Sequence, residues 1–465
     1  MTVTAETTRA IARVDGLEVL DSRGNPTVQA IVTLADGTAG RAIAPSGAST
    51  GASEAHELRD GDPRRYGGKG VLRAVGHVRG EIAEALRGLD AGDQAAVDRA
   101  LAALDGTPDK SRLGANAVLA ASLATALAAA AAEGLPFYRY VSRLVGGAAP
   151  PCLPLPMVNL LSGGKHAGAQ VDFQDFLIVP RGAGSMAEAL ERVQAVYRAA
   201  LALLTERHGY QPLVADEGGW APRLASNEAM LELTTEAIER AGCRPLEDVA
   251  VAIDVAATHF YREGRYCLAV ENADLEPEAM IARLEDWCRR FPLLSIEDGL
   301  AEEDWAHWPA LQARLGARCQ ILGDDLFATH PERIRRGIGA RAANSVLIKV
   351  NQIGTLSEAL EALRLAREAG WTAVVSARSG DTEDSWLADL AVGSGAGQIK
   401  IGSIARSERL ALQPPTRHRT RRPRPPLRAG CPGPVRGGIV RAEAAKAAIS
   451  VSASEKRSAT SSGLR

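Results

Sequence analysis

The sequence predicts an α/β protein: a closed β/α barrel preceded by a smaller α+β domain. Three observations predict it. Six short apolar runs in the second half each end in a charged or hydrogen-bonding residue, helical stretches separate those runs, and the first third carries a different, alternating pattern. The runs are Val251-Ala252-Ile253-Asp254, Leu294-Ser295-Ile296-Glu297, Ile321-Leu322-Gly323-Asp324, Val346-Leu347-Ile348-Lys349, Val374-Val375-Ser376-Ala377-Arg378-Ser379 and Gln398-Ile399-Lys400. Apolar runs this short fit strands covered on both faces. Alternating with helices at this spacing, such strands close into a barrel whose chemistry gathers at their C-terminal ends.

Taken in order, the first third begins with a hairpin. Val28, Ala30, Val32 and Leu34 alternate with exposed positions and run into Asp36-Gly37, a turn signal followed by a second strand through Ile43. Val71, Leu72, Val75, Val78, Ile82 and Leu86 share one helical face. Residues 113–132 carry no charge over a length that spans a bilayer, but eleven of them are alanine. Leu119, Leu123 and Leu127 recur every four positions, so the segment reads as a buried core helix rather than a membrane span. Gly146-Gly147 and the prolines at 150, 151, 154 and 156 mark a boundary. The expected organisation is residues 1–145 as the α+β domain, 146–410 as the barrel and 411–465 as a tail.

A chain of 465 residues with 46% hydrophobic content buries a large core. Its net charge of −2 gives no reason to expect a nucleic-acid partner. Six scattered cysteines form no CxxC pair, and residues 1–15 lack an apolar signal core, so a reducing, cytoplasmic setting is expected. The net charge conceals a tail, residues 411–465, with ten arginines and two lysines against two glutamates and no aromatic residue. Such a segment buries too little apolar surface to offset its ordering entropy. Disorder is expected there.

The strand ends supply three carboxylates, two lysines and an arginine-serine pair, which outline a metal-dependent active site. Taken singly, a strand-end carboxylate is equally well explained as a helix cap. Three at successive strand ends are not.

Six motifs follow one another in order: Asp21-Ser22-Arg23-Gly24-Asn25-Pro26-Thr27, Pro45-Ser46-Gly47-Ala48-Ser49-Thr50-Gly51, Asp216-Glu217-Gly218-Gly219, Ser295-Ile296-Glu297-Asp298-Gly299-Leu300, Gly323-Asp324-Asp325-Leu326 and Leu347-Ile348-Lys349-Val350-Asn351-Gln352-Ile353-Gly354. In this ordered set the chain resembles the enolase family from about Gly16 to Leu410. The resemblance implies an eight-stranded, TIM-like barrel. It also implies dehydration of 2-phosphoglycerate to phosphoenolpyruvate in glycolysis and gluconeogenesis, two Mg²⁺ ions with the second arriving with substrate, and a homodimer. By the same resemblance Asp254, Glu297 and Asp324 would bind the first ion, and Ser49, on a lid loop from Ser46 to Gly51, the second. Lys349 would be the general base, its pKa lowered by the ions and Lys400, and Glu217 the acid that assists departure of the hydroxyl. His166, Gln174, Asp175, Lys349, Arg378, Ser379 and Lys400 would contact the substrate, and Asp325 would stand behind Asp324.

Departures from the family pattern motivate two further readings. Ala377 stands where the family has a histidine, Asp175 where it has a glutamate and Ser162 where it has an asparagine. Pro414 and Pro415 break the helix expected after Ser407-Glu408-Arg409-Leu410, as a shifted reading frame would. Loss of that helix would leave an apolar patch uncovered and lower stability. One alternative is therefore an impaired paralogue that binds ligand or a partner subunit without turnover. The other is an RNA contact by the basic tail, disfavoured by its lack of aromatic residues.

Overall fold

In the computed structural model, residues 9–147, 151–209 and 211–412 are described. Strands β1 (Ile11–Leu20), β2 (Pro26–Leu34) and β3 (Ala39–Ile43) form an antiparallel meander. The predicted Asp36-Gly37 hairpin joins β2 to β3. The alanine-rich helix Ala115–Ala132 lies against β2 and β3 with 83% of its residues buried, so its apolar length serves the core. Alanine permits the close approach, and so does glycine opposite: a Cβ on Gly40 would sit 2.2 Å from the Ala128 amide nitrogen. The second predicted helix forms as Leu72–His77, a π turn over Val78–Ile82, and Ala83–Leu86. Leu72, assigned to its buried face, is instead 49% exposed. It is the first helical residue, where the backbone has only just turned inward.

The barrel strands are β4 (Leu155–Ser162), β5 (Asp175–Val179) and β6 (Ala250–Asp254), then, after a small sheet of β7 (Tyr261–Arg262), β8 (Arg265–Leu268) and β9 (Ala273–Leu275), β10 (Leu293–Glu297), β11 (Gln320–Gly323), β12 (Ser345–Ile348), β13 (Thr372–Ser376) and β14 (Gly397–Lys400). They close in the order β10-β11-β12-β13-β14-β4-β5-β6. All six apolar runs are barrel strands. One strand departs from the parallel arrangement: β5 pairs antiparallel with both β4 and β6. Residues 163–174 connect β4 to β5 with no more than the short turn Gly164–Ala167 between them, and lack the helix that usually makes a parallel crossover. Reversal brings the start of β5, rather than its end, to the mouth of the barrel.

Buried polar contacts fasten the first domain to the barrel. The Asp98 carboxylate accepts the Ser357 amide at 2.9 Å, Ser122 Oγ accepts the Leu356 amide at 3.1 Å, and Lys110 pairs with Glu358 at 2.6 Å. None of the five cysteines among the described residues is in a disulfide. At the other end, the first two residues of the tail expected from 411 are ordered, Ala411 ending the helix Ser407–Ala411 and Leu412 buried, while residues 413–465 and the helix break expected at Pro414 and Pro415 lie outside the described residues.

One buried acid has a stability consequence. Asp389, in the helix Trp386–Ser394, keeps Oδ1 away from solvent without a partner, and burial pushes its carboxyl up to about 7. Below the ordinary value of 3.8 the group is protonated in both states and costs nothing. As pH rises toward 7 the unfolded chain ionises first, so stability falls and the whole cost is present above that pH. Allowing for partial exposure, Asp389→Asn should stabilise the protein by about 2 kcal/mol at pH 8 and by almost nothing at pH 4. Urea denaturation at the two pH values reads this out; a gap that does not shrink on acidification would refute it.

Candidate active site

The barrel's C-terminal ends converge on buried charge. Asp254 ends β6, Glu297 ends β10 and Lys400 ends β14; Asp324 follows β11, Lys349 follows β12, and Arg378 and Ser379 follow β13. Lys400 Nζ lies 2.9 Å from Asp254 Oδ2 and 2.8 Å from both Glu297 oxygens. Lys349 Nζ pairs with Asp324, whose other oxygen accepts Gln352 Nε2 at 2.9 Å. Every one of these charged groups is at most 9% exposed. Buried ions survive only when paired, and here two ammonium groups serve three carboxylates.

The imbalance appears in the titration of the site. Burial works against ionised Asp254, but Lys400 and Lys349 hold its carboxyl down at about 2. Glu297 is pushed well above the usual carboxylate range by burial and by Asp254. Burial opposes the charged form of Lys400, yet Asp254 and Glu297 raise it well above an ordinary lysine.

Lys349, expected to act as a base beside bound ions, here faces a carboxylate. Burial, Arg378 and Lys400 all favour its neutral form, but the Asp324 carboxylate outweighs them and the ammonium is held above its normal value. It is protonated in this arrangement.

Asp298 and Asp325 complete an acidic knot. Asp298 sits at φ +42° and its carboxylate accepts the amides of Asp324 at 2.9 Å and Asp325 at 2.7 Å, fixing the turn after β11. Oxygens of Asp298, Asp324 and Asp325 lie within 4.8 Å of one another. Among the described residues, Asp254, Glu297 and Asp324 do not form such a set, because the two lysines stand among them. The donor set nonetheless fits a hard dication: all are carboxylate oxygens, and Glu297, Asp298 and Asp325 are all pushed upward by burial and by neighbouring carboxylates.

The reversed strand β5 delivers the opposite wall. Asp175 Oδ2 lies 2.9 Å from His166 Nδ1, and its Oδ1 accepts Ser162 Oγ at 3.1 Å and Asn159 Nδ2 at 2.5 Å. Two departures from the family pattern, Ser162 and Asp175, thus bond to each other. Burial would keep His166 neutral, but Asp175 and Glu217 lift it to about 9, and His166 Nε2 stands 4.0 Å from Glu217 Oε1. Glu217 is buried, which favours its neutral form, yet His166, Arg409, Lys400 and Lys349 hold its carboxyl below normal. Gln174 donates to Asp254 Oδ2 at 3.1 Å while its own Oε1 is buried without a partner. That orphan acceptor calls for a donor such as a ligand hydroxyl.

Above the mouth lies the loop Ser46–Gly51. Ser46 and Gly380 exchange backbone bonds of 2.8 and 2.9 Å, Ala48 N donates to Ser379 Oγ at 2.8 Å, and Arg378 Nη2 donates to Ser49 O at 2.8 Å. A Cβ on Gly47 would fall 1.9 Å from Arg378 Nη2, so only glycine lets the loop seat here. Ser49 Oγ lies 2.9 Å from His259 Nε2. Burial, Lys165 and other nearby cations hold His259 down at about 4, so it is neutral.

Sequence reasoning missed Glu54, His259, Asn159 and Arg409. Arg409 is fully buried and its Nη1 and Nη2 donate to the carbonyls of Arg378 and Ser379, both at 2.7 Å, fixing their backbone. Its position gave no cue, since an arginine in a helix's last turn is ordinarily explained by the helix dipole. Ala377 is buried with a methyl where a polar group was missed.

Comparison with known families agrees with this geometry. Residues 11–141 match the family described as "Enolase, N-terminal domain", and residues 150–414 match "Enolase, C-terminal TIM barrel domain". The small sheet and the barrel are therefore those of one known architecture, and the chain belongs to the enolase family.

Proposed function

We propose that the protein is a phosphopyruvate hydratase, converting 2-phosphoglycerate to phosphoenolpyruvate and water in a cytoplasmic, glycolytic setting as a homodimer. Membership of the family makes it a lyase of the enolase superfamily with a small-molecule substrate. The observation that carries the finer reading is the buried pairing of Lys349 and Lys400 with Asp324, Asp254 and Glu297 at the barrel's mouth.

In this reading Lys349 Nζ takes the proton from carbon 2, the carbon 3–oxygen bond breaks, and Glu217 supplies the proton with which hydroxide leaves as water. The family typically uses Mg²⁺. Bound at Asp254, Glu297 and Asp324, with a second ion near Ser49, it would supply the positive charge that an already ionised substrate carboxylate needs. Arg378, Ser379 and Lys400 would hold the substrate's oxyanions, a guanidinium fork and a point charge being suited to them. Gln174 Oε1 would accept a substrate hydroxyl, and His166, oriented by Asp175, would close the pocket beside Glu217. Phosphoenolpyruvate release by purified protein, followed with Mg²⁺ and with chelator, tests the assignment; absence of turnover in both would overturn it.

One observation favours a second reading, that of an impaired paralogue which binds without turning over. Ala377 places a methyl beside Arg378 where it can neither donate nor accept a hydrogen bond. A positioned acid-base group contributes on the order of 10² in rate or more. Ala377→His should therefore raise kcat by roughly that factor. An unchanged kcat would show that this chain works without the imidazole.

A further inference from the structure

We infer that Glu54 is a built-in competitor for the oxyanion at Arg378, so that ligand must displace it on entering. The inference rests on the reading of Arg378 as the substrate's phosphate anchor. All four terminal N–H groups of that guanidinium are committed within the protein. Nη1 donates to Glu54 Oε2 at 3.0 Å and Asn351 Oδ1 at 3.0 Å; Nη2 donates to Ser49 O at 2.8 Å and Glu54 Oε1 at 3.1 Å. Glu54 thus grips Arg378 through both oxygens, in the fork geometry by which arginine holds a phosphate. With Arg378 at 2% and Glu54 at 8% side-chain exposure, neither charge is satisfied by water. A phosphate can bond to these Nη atoms only by exchange.

The exchange partner is tied to the loop as well. Glu54 Oε1 accepts the Gly51 amide at 3.1 Å and Gln352 Nε2 at 3.2 Å. Glu54 and Arg378 together therefore hold Ser49 and Gly51, two points of the same loop, against the barrel. A polar cavity of about 300 Å³ lined by Thr50, Gly51, Glu54, Asn116 and Asn351 borders the pair and gives the displaced carboxylate a place to turn. Apparent affinity is then intrinsic affinity reduced by the fraction of molecules with the fork free. Removing the competing charge raises that fraction.

Titration with inorganic phosphate by calorimetry tests this without requiring turnover. Glu54→Gln should bind phosphate about tenfold more tightly than the parent protein, and limited proteolysis should cut Glu54→Gln faster within residues 46–51. Arg378→Gln should lose the binding. Affinity in Glu54→Gln equal to or weaker than the parent's would overturn the inference, as would phosphate binding that survives Arg378→Gln. Should Glu54→Gln be too unstable to titrate, Glu54→Asp keeps the charge but shortens the arm by one methylene. It should still tighten binding, and no change there would count against the inference equally. Tighter phosphate binding in a protein that never forms phosphoenolpyruvate would leave Glu54 as the competitor and remove the hydratase reading instead.

Discussion

Lys349→Ala protein should take up Mg²⁺ at least as tightly as the parent yet form phosphoenolpyruvate slower by on the order of 10⁴. The two halves of this result have one cause. Lys349 is both the amine nearest a carbon-bound proton, in the proposed chemistry, and the counter-ion of Asp324. Deleting it removes the base and frees a carboxylate for the cation. A merely structural lysine would give the opposite pattern, with metal affinity and stability falling together while residual turnover kept its rate per folded molecule. Lys349→Arg sharpens the distinction. Arginine can keep the ion pair with Asp324 but cannot shed a proton near neutrality, so it should restore stability and no activity. Turnover in Lys349→Arg above a few per cent of the parent would remove Lys349 from the base role.

The protonation states bear on direction. Lys349 is held protonated and Glu217 ionised. In the proposed scheme these are the states left after dehydration, when the amine has gained the carbon 2 proton and the carboxyl has lost its own. In that scheme the forward reaction needs a neutral Lys349 and a protonated Glu217. Mg²⁺ at Asp324 would weaken the interaction that keeps Lys349 charged.

Much of this was legible in the sequence because barrel strands announce themselves as apolar runs and their last residues fall at the mouth. Asp254, Glu297, Lys349 and Lys400 could be placed on that basis alone. The direction of β5 was not legible from pattern, since a buried strand reads the same both ways. The one cue was that residues 163–174, with three glycines, make a poor crossover helix. Glu54 was hidden for a different reason. It lies in a loop just beyond the motif Pro45–Gly51, and its partner Arg378 is 324 positions away, so nothing in its own neighbourhood marks it. Lysine pairing was also invisible, because residue types at strand ends do not say which charges will face each other. In the fold the lysines stand where the resemblance places a cation.

That substitution of ammonium for metal makes Lys400→Met the most informative stability variant. Lys400 is the counter-ion of both Asp254 and Glu297, all three buried, and removing one member of such a group leaves uncompensated charge in the interior. The expected loss is about 3–5 kcal/mol in chelator, measured by urea denaturation. Two conditions should return most of it. Lowering the pH to about 5 should help because Glu297 already sits well above the usual carboxylate range and, without Lys400, protonates more readily still. Millimolar Mg²⁺ should help more, since a dication held by Asp254 and Glu297 supplies the missing charge and stabilises the folded state by mass action. The parent should gain less from Mg²⁺ than Lys400→Met, because part of that charge is already present as an ammonium. Equal Mg²⁺ shifts in the two proteins would mean that Asp254 and Glu297 do not hold the ion, and the metal site would have to be sought in the knot of Asp298, Asp324 and Asp325.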